Sequence, residues 1–200
     1  MEHFVILDPG HGDRQLGKRS CAFYHEGRKV QFLEYEFNYD VAHRIAAILR
    51  SLGIGVEFTY ESYKGVASFI RQRQVRQLYL WKAHPGALFI SIHSNAAPLA
   101  QGQCWQPFAQ GVEVYHYNQQ SIPLATLMLD KIVEHTGMKK RRVATANYGV
   151  LVKYPGVAIL TESGFYTHPE EVVKLLSDSM RQRIAQAHCD AIMEYYKRVV

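Results

Sequence analysis

Residues 5–13 of the chain read VILDPGHGD and combine an apolar run with an abrupt break. The run Val5–Leu7 is typical of a buried strand, and Pro9-Gly10 is a strong turn signal. His11 therefore follows directly after the end of a predicted strand, with a glycine on each side. Glycines leave room for a ligand that approaches the backbone, but a turn with a solvent-facing histidine fits this stretch equally well. The rest of the sequence has to distinguish these two interpretations.

The chain has 200 residues, 48% of them hydrophobic, and a formal net charge of +5. This length allows one domain to bury a core without disulfides or a structural metal, so we predict a single domain over residues 1–200. Cys21, Cys104 and Cys189 are an odd number of cysteines at wide spacing, which predicts free thiols. The modest positive charge suits anionic partners, but no motif beside it indicates nucleic-acid binding.

The sequence carries no signal for export or for insertion into a membrane. The N-terminus lacks a basic flank followed by an apolar core, and no run of about eighteen apolar residues occurs anywhere in the chain. We therefore expect a protein without a signal peptide or a membrane span, made in the cytoplasm. A monomer is the default expectation for its oligomeric state.

Apolar strand patterns alternate with helical patterns along the chain. This alternation predicts an α/β domain with a mostly parallel twisted sheet and helices on both faces. The stretch 96–110 is irregular and predicts a surface loop. The predicted strands cover 4–7, 56–60, 87–93, 111–117 and 156–160, and the predicted helices cover 36–52, 66–82, 121–136, 169–176 and 180–197.

Three polar residues stand at the ends of predicted strands. His11 follows the first strand, His93 ends ALFISIH, and Glu162 follows the last apolar run after Thr161. In open α/β sheets, ligands bind beyond the carboxyl ends of the strands, so these side chains are expected to meet at one edge. Two imidazoles and a carboxylate are a common ligand set for catalytic zinc.

Four segments of the chain resemble one protein family. LDPGHGD, SIHSNA and LTESGF, in this order, resemble the three signature segments of the zinc-dependent N-acetylmuramoyl-L-alanine amidases of the Amidase_3 family. In the fourth, Glu34 stands four residues before Asn38, as in the family. The resemblance covers nearly the whole chain. It implies that His11, Glu34 and His93 bind zinc and that Glu162 is the catalytic carboxylate.

The resemblance also implies a reaction and a substrate. Three protein ligands leave one coordination position for a water molecule, whose pKa zinc lowers to about 7. Glu162 would take a proton from this water and pass it to the departing nitrogen of L-alanine in peptidoglycan. The expected domain is catalytic, with no appended wall-binding domain, and acts on the wall after release, as a phage endolysin does. The alternatives are a zinc carboxypeptidase that cuts the stem peptide and an inactive cell-wall-binding module.

The sequence leaves open the third metal ligand and the role of Asp8. Glu36 lies two residues from Glu34 and competes with it as the third ligand, although only Glu34 has the family spacing to Asn38. Asp8 either orients His11 through a hydrogen bond or stabilises the turn.

Other residues depart from the family or carry charge without an assigned role. Asp13 replaces the usual family glycine, and His168 stands where the family commonly has asparagine. We expect His168 to cap the helix that starts at Pro169. Trp105 either contacts sugar rings or folds back onto the protein. We interpret two basic groups as a solvated helix face and loop rather than as a surface for anionic wall polymers: Lys139–Arg142, and Arg71, Arg73 and Arg76.

Overall fold

A six-stranded sheet separates two layers of helices in the computed structural model of the protein. The structure describes residues 3–15, 17–64 and 70–199. The strands there are β1 (Phe4–Pro9), β2 (Phe23–His25), β3 (Arg28–Val30), β4 (Gly55–Phe58), β5 (Leu88–Asn95), β6 (Val112–His116), β7 (Lys140–Thr145) and β8 (Ala158–Phe165). The helices are α1 (Glu34–Ser51), α2 (Ile70–Ala83), α3 (Ile122–Thr136), α4 (Gly149–Val152), α5 (Pro169–Leu176) and α6 (Asp178–Val199).

The sheet has the strand order β4-β1-β5-β8-β6-β7 and is mostly parallel, as predicted. β1, β4, β5 and β8 run in one direction, whereas β6 is antiparallel to β8 and parallel to β7. The parallel strands β1, β5 and β8 therefore end at the same edge of the sheet. β2 and β3 form a separate antiparallel hairpin.

Both faces of the sheet are covered, which explains the unbroken apolar run of β1. Leu7 belongs to the core between the sheet and α1, α3 and α6, and Ile6 belongs to the second core, against α2 and α4. Successive strand residues point to opposite faces, so a strand buried on both sides must be apolar at every position. The expected single α/β domain with helices on both faces is confirmed.

The five predicted strands and five predicted helices are present, α5 with the predicted ends and the others with shifted ends. Four of the strands and helices named above were not predicted. The predicted helix over 66–82 is α2, and its positions 66–69 lie outside the described residues. The hairpin strands, β7 and the single turn of α4 are short or exposed and carry weak apolar patterns. None of the described helices is long and apolar enough to cross a membrane.

The interpretation of Lys139–Arg142 as part of a helix face and loop is wrong. This run leads into β7, the last strand of the sheet, where charged side chains are typical of an edge. The Nε atoms of Arg141 and Arg142 lie 2.7 and 3.2 Å from Oε1 of Glu113, a buried carboxylate on the neighbouring strand β6. The basic run therefore neutralises a buried charge.

The prediction of three free thiols is also wrong, because Cys21 and Cys104 form a disulfide. The bond joins the segment before β2 to the loop over 96–110, and the rings of Phe23 and Trp105 meet edge to face beside it, 5.3 Å apart. The two cysteines are 83 residues apart in sequence, so only the fold brings them together. Cys189 is a buried free thiol.

We expect Cys21→Ser/Cys104→Ser to lower the free energy of unfolding by about 2–4 kcal/mol, because the unfolded chain regains the entropy of a long loop. Urea unfolding measures this change. A thiol reductant should lower the stability of the parent protein to that of the variant and leave the variant unaffected. A parent protein indifferent to reductant would show that the disulfide contributes nothing.

Candidate metal centre

Three side chains from separate segments bring their ligand atoms together at the carboxyl edge of the sheet. His11 follows β1, Glu34 opens α1, and His93 lies near the end of β5. Oε1 of Glu34 is 3.2 Å from Nε2 of His11 and 3.0 Å from Nδ1 of His93, and the three ligand atoms lie within 4.8 Å of one another. The structure thus assembles the three residues that the sequence proposed as ligands.

The register of the sheet places Glu162 beside this cluster. His93 on β5 and Glu162 on β8 are paired positions of adjacent parallel strands, and both line a cleft of about 330 Å³. The same cleft is lined by His11 and Glu34. A carboxylate that could move protons therefore lies at the same opening as the candidate ligands.

Side chains from elsewhere in the fold hold the turn that carries His11 by donating hydrogen bonds to its backbone carbonyl groups. His11 adopts a left-handed backbone conformation with φ of +65°, which is uncommon for a residue with a side chain. The hydroxyl of Tyr60 donates to the carbonyls of Pro9 and His11. Nδ2 of Asn38 donates to the carbonyl of Gly10 at 2.9 Å. Asn38 lies one helical turn after Glu34 on α1. The four-residue spacing of the family therefore connects the helix that carries Glu34 to the turn that carries His11.

Gly10 makes room for the imidazole of His93. A Cβ built on Gly10 would lie 2.0 Å from Cε1 of His93, far inside van der Waals contact. Any side chain at position 10 would therefore displace a candidate ligand. This close approach explains the glycine before His11 better than a turn requirement does, because Gly10 has no positive φ.

Hydrogen bonds and burial set the ionisation of the cluster. Nδ1 of His11 faces Oε1 of Gln15 at 2.5 Å, and its Nε2 points toward Glu34. With a metal ion on Nε2, Nδ1 would carry the proton and donate to Gln15. Burial, which outweighs the hydrogen bond with Glu34, lowers the pKa of His93 to about 4. Burial raises the pKa of Glu34, but hydrogen bonds with His11 and His93 lower it further than burial raises it. A neutral His93 and an ionised Glu34 are the forms that bind a metal ion.

Glu162 has the opposite electrostatic environment. Its Oε2 is buried and has no hydrogen-bond partner among the described residues. Burial, and then the charges of Glu34 and Glu113, raise the pKa of Glu162 well above its ordinary value of 4.5. Glu113 is the paired residue on β6, where the two antiparallel strands meet. Glu162 is therefore a carboxyl group suited to accept and return protons.

Asp8 neither orients His11 nor closes the turn, contrary to both interpretations of the sequence. It is fully buried and forms an ion pair with Arg73 of α2, whose Nε lies 2.7 Å from Oδ1. The hydroxyls of Ser91 and Thr59 donate to the same carboxylate at 2.6 and 2.7 Å. Arg73 is thus buried and paired, and its interpretation as part of a solvated helix face is wrong.

The structure also decides the assignments of Glu36, His168 and Trp105. Glu36 is exposed and does not belong to the cluster. His168 caps α5 as predicted, since its Nδ1 accepts from the backbone N–H groups of Glu170 and Glu171. Trp105 folds back against Phe23.

Sequence reasoning did not assign a role in the site to three residues that support it. Tyr60, Arg73 and Gln15 support the cluster through contacts across the fold or within an irregular loop. Gln15 lies four residues after His11, and this is the only local signal that the sequence offers for any of them.

The fold and the cluster define an α/β protein with a candidate metal centre and a neighbouring carboxyl group at the carboxyl edge of its sheet. The family model of Amidase_3, described as N-acetylmuramoyl-L-alanine amidase, matches residues 5–194. The chain belongs to this family, as its four motifs predicted.

Relatives and solved structures agree with this membership. The probable cell wall amidase LytH of Staphylococcus epidermidis is 26% identical over 96% of this chain and 58% of its own length. The N-acetylmuramoyl-L-alanine amidase LytC of Bacillus subtilis is 26% identical over 96% of this chain and 35% of its own length. The chain thus spans about a third to three fifths of these two relatives.

Two solved structures show the same architecture. The N-acetylmuramoyl-L-alanine amidase AmiC2 of Nostoc punctiforme superposes with a TM-score of 0.76 at 28% identity, over 98% of each chain. An N-acetylmuramoyl-L-alanine amidase from Clostridium difficile 630 gives a TM-score of 0.80 at 24% identity, over 98% of this chain and 97% of its own. The second comparison shows the fold alone.

We expect Gly10→Ala to weaken zinc binding at least about tenfold, because the new Cβ displaces the His93 ring. Titration against a chromophoric chelator measures the affinity. Gly102→Ala is the matched control, since a Cβ there meets no atom within 4 Å, although its φ of +80° is strained. Equal zinc affinity in Gly10→Ala and the parent protein would exclude this role for Gly10.

We expect Asp8→Asn to lower the free energy of unfolding at pH 7 by about 3 kcal/mol, because Arg73 stays buried without its counter-charge. Burial raises the pKa of Asp8, but the charge of Arg73 and the hydrogen bonds lower it below 3.8. Its stabilisation is therefore fully present well above pH 3.8 and is lost as the pH falls from there through the lower pKa of the folded state.

Urea unfolding of the parent protein and Asp8→Asn at pH 7 and below pH 4 tests this dependence. The difference between the two proteins should shrink at the acid pH. Glu57→Gln is the control, because its ion pair with Arg76 is partly exposed and should contribute less than about 1 kcal/mol. A difference that does not change with pH would contradict the role given to Asp8.

Proposed function

We propose that the protein is a zinc-dependent N-acetylmuramoyl-L-alanine amidase that cuts the amide bond between N-acetylmuramic acid and L-alanine in peptidoglycan. The observation that carries the proposal is the meeting of His11, Glu34 and His93 in one cleft with Glu162. Membership of the Amidase_3 family supplies the substrate class. The names of the relatives support the cell wall as the place of action.

The donor set fits a zinc ion. Two imidazole nitrogens and one carboxylate oxygen are a known ligand set of catalytic zinc. Two ligand atoms that are each about 2.0–2.1 Å from a tetrahedral ion lie roughly 3.3 Å apart. The separations of Glu34 Oε1 from the two histidine nitrogens, 3.2 and 3.0 Å, are close to that value. A bound zinc ion would supply Lewis acidity, polarising the amide carbonyl and making water more acidic.

Glu162 would act as the proton carrier of the hydrolysis. Its raised pKa suits a group that takes a proton from the attacking water and then returns it. The same carboxyl group would protonate the departing nitrogen of L-alanine, so that the amine leaves as a neutral group. Its buried Oε2 has no competing hydrogen-bond partner among the described residues, which leaves it available for this transfer.

The supporting residues would keep this geometry through the reaction. Gln15 fixes the tautomer of His11, and Asn38 and Tyr60 hold the loop that presents it. Preorganisation of this kind limits the rearrangement that the reaction needs. The proposed products are a free lactyl carboxylate on the sugar and a stem peptide that begins with L-alanine.

We expect the zinc-loaded protein to release intact stem peptides with a free L-alanine amino group from purified peptidoglycan. Glu162→Gln should lower kcat by at least about a hundredfold while zinc content stays unchanged, because proton transfer is lost. Mass analysis of the fragments identifies the bond that is cut. Glu36→Gln is the matched control, an exposed carboxylate on the same helix as Glu34, and should keep full activity.

A chelated sample should lose activity and regain it with added zinc. Fragments cut within the stem peptide would replace the amidase proposal with a carboxypeptidase. A protein that binds the wall and releases no peptide under any metal condition would be a binding module.

A further inference from the structure

Two cations line the cleft among the described residues, and only one of them is free to meet a substrate. Arg73 is buried and committed to Asp8. Lys18 is exposed, and within residues 3–15, 17–64 and 70–199 its ammonium group has no ion pair or hydrogen bond. Arg141 and Arg142 on β7 are paired with Glu113.

The backbone of Lys18 is fixed against a candidate ligand. The N–H of Glu34 donates to the carbonyl of Lys18 at 3.0 Å, and Arg19 forms a β-bridge with Leu33. The N–H of Ser20 then donates to the carbonyl of Phe32 at 3.0 Å. Lys18 therefore presents a flexible charged side chain from a backbone position that is set relative to the metal centre.

The position of Lys18 in the cleft suits it to bind an anionic group of the substrate. The ammonium group of Lys18 lines the same cleft as Glu34 and Glu162, where it can attract an anionic part of the substrate. The stem peptide of peptidoglycan can carry a free α-carboxylate on the residue after L-alanine, or a carboxamide in its place. With the scissile amide beside Glu162, that group lies one residue away, within the span of a cleft of about 330 Å³.

We infer that Lys18 is a specificity residue whose ammonium group binds the α-carboxylate of the residue after L-alanine. The inference rests on the proposed amidase function. It makes the protein selective for stem peptides with the free carboxylate over those with the carboxamide. A charge-assisted hydrogen bond is worth about a tenfold change in affinity.

The test compares two synthetic substrates, muramoyl-L-alanyl-γ-D-glutamyl peptides that differ only in a free α-carboxylate or its carboxamide. The zinc-loaded parent protein should show about tenfold higher kcat/KM for the carboxylate, and added salt should reduce this preference. Lys18→Gln should raise KM about tenfold for the carboxylate substrate alone, with zinc content unchanged. Lys18→Arg should restore most of the preference.

The control is Lys29→Gln, which removes an exposed lysine from β3 outside the cleft lining and should leave both substrates unaffected. If Lys18→Gln changes both substrates equally, or neither, the inference is overturned while the amidase function stands. If the parent protein cleaves neither substrate, the proposed function is overturned and the inference with it.

Discussion

The buried ion pair of Asp8 and Arg73 is the interaction on which the candidate metal centre depends. Asp8 lies three residues before His11 in the chain, and its carboxylate also accepts from Ser91, two residues before His93. These contacts connect α2 to β1 and β5, the two strands next to His11 and His93. A charge buried in this way is costly unless every acceptor position is used, and the four donors around Asp8 meet that condition.

The pKa values of two carboxyl groups in the cleft, Glu34 and Glu162, are shifted in opposite directions. Glu34 is surrounded by imidazole nitrogens and the N–H of Ser94, which favour the ionised form. Glu162 is near Glu34 and Glu113 and has a buried oxygen without a partner, which favours the protonated form. Separation of pKa values between neighbouring carboxyl groups is how one site obtains both a ligand and a proton carrier.

The sequence predicted the parts of the molecule that depend on local pattern. Apolar runs that break at polar residues placed His11, His93 and Glu162 close to the carboxyl ends of β1, β5 and β8, although β5 and β8 continue past His93 and Glu162. The α/β alternation follows from periodicity. The choice of Glu34 over Glu36 came from family spacing, and α1 explains it, because Glu34 faces the cluster while Glu36 is exposed.

The parts that the sequence did not predict depend on contacts between distant segments. The pairing of Cys21 with Cys104, the partner of Asp8 and the support from Tyr60 join residues 49 to 83 positions apart. β7 was missed because an edge strand that neutralises Glu113 with arginines looks like a solvated loop. Such pairings carry no local pattern, so reasoning along the chain cannot recover them.

The disulfide also closes the chain from Cys21 to Cys104 into a covalent ring, and both Glu34 and His93 belong to it. A protease that cuts once within this ring leaves a single covalent molecule, in which the two candidate ligands stay attached to the same body. Release of a fragment requires a second cut or a reductant. A nicked molecule would therefore migrate as intact protein until its disulfide is reduced.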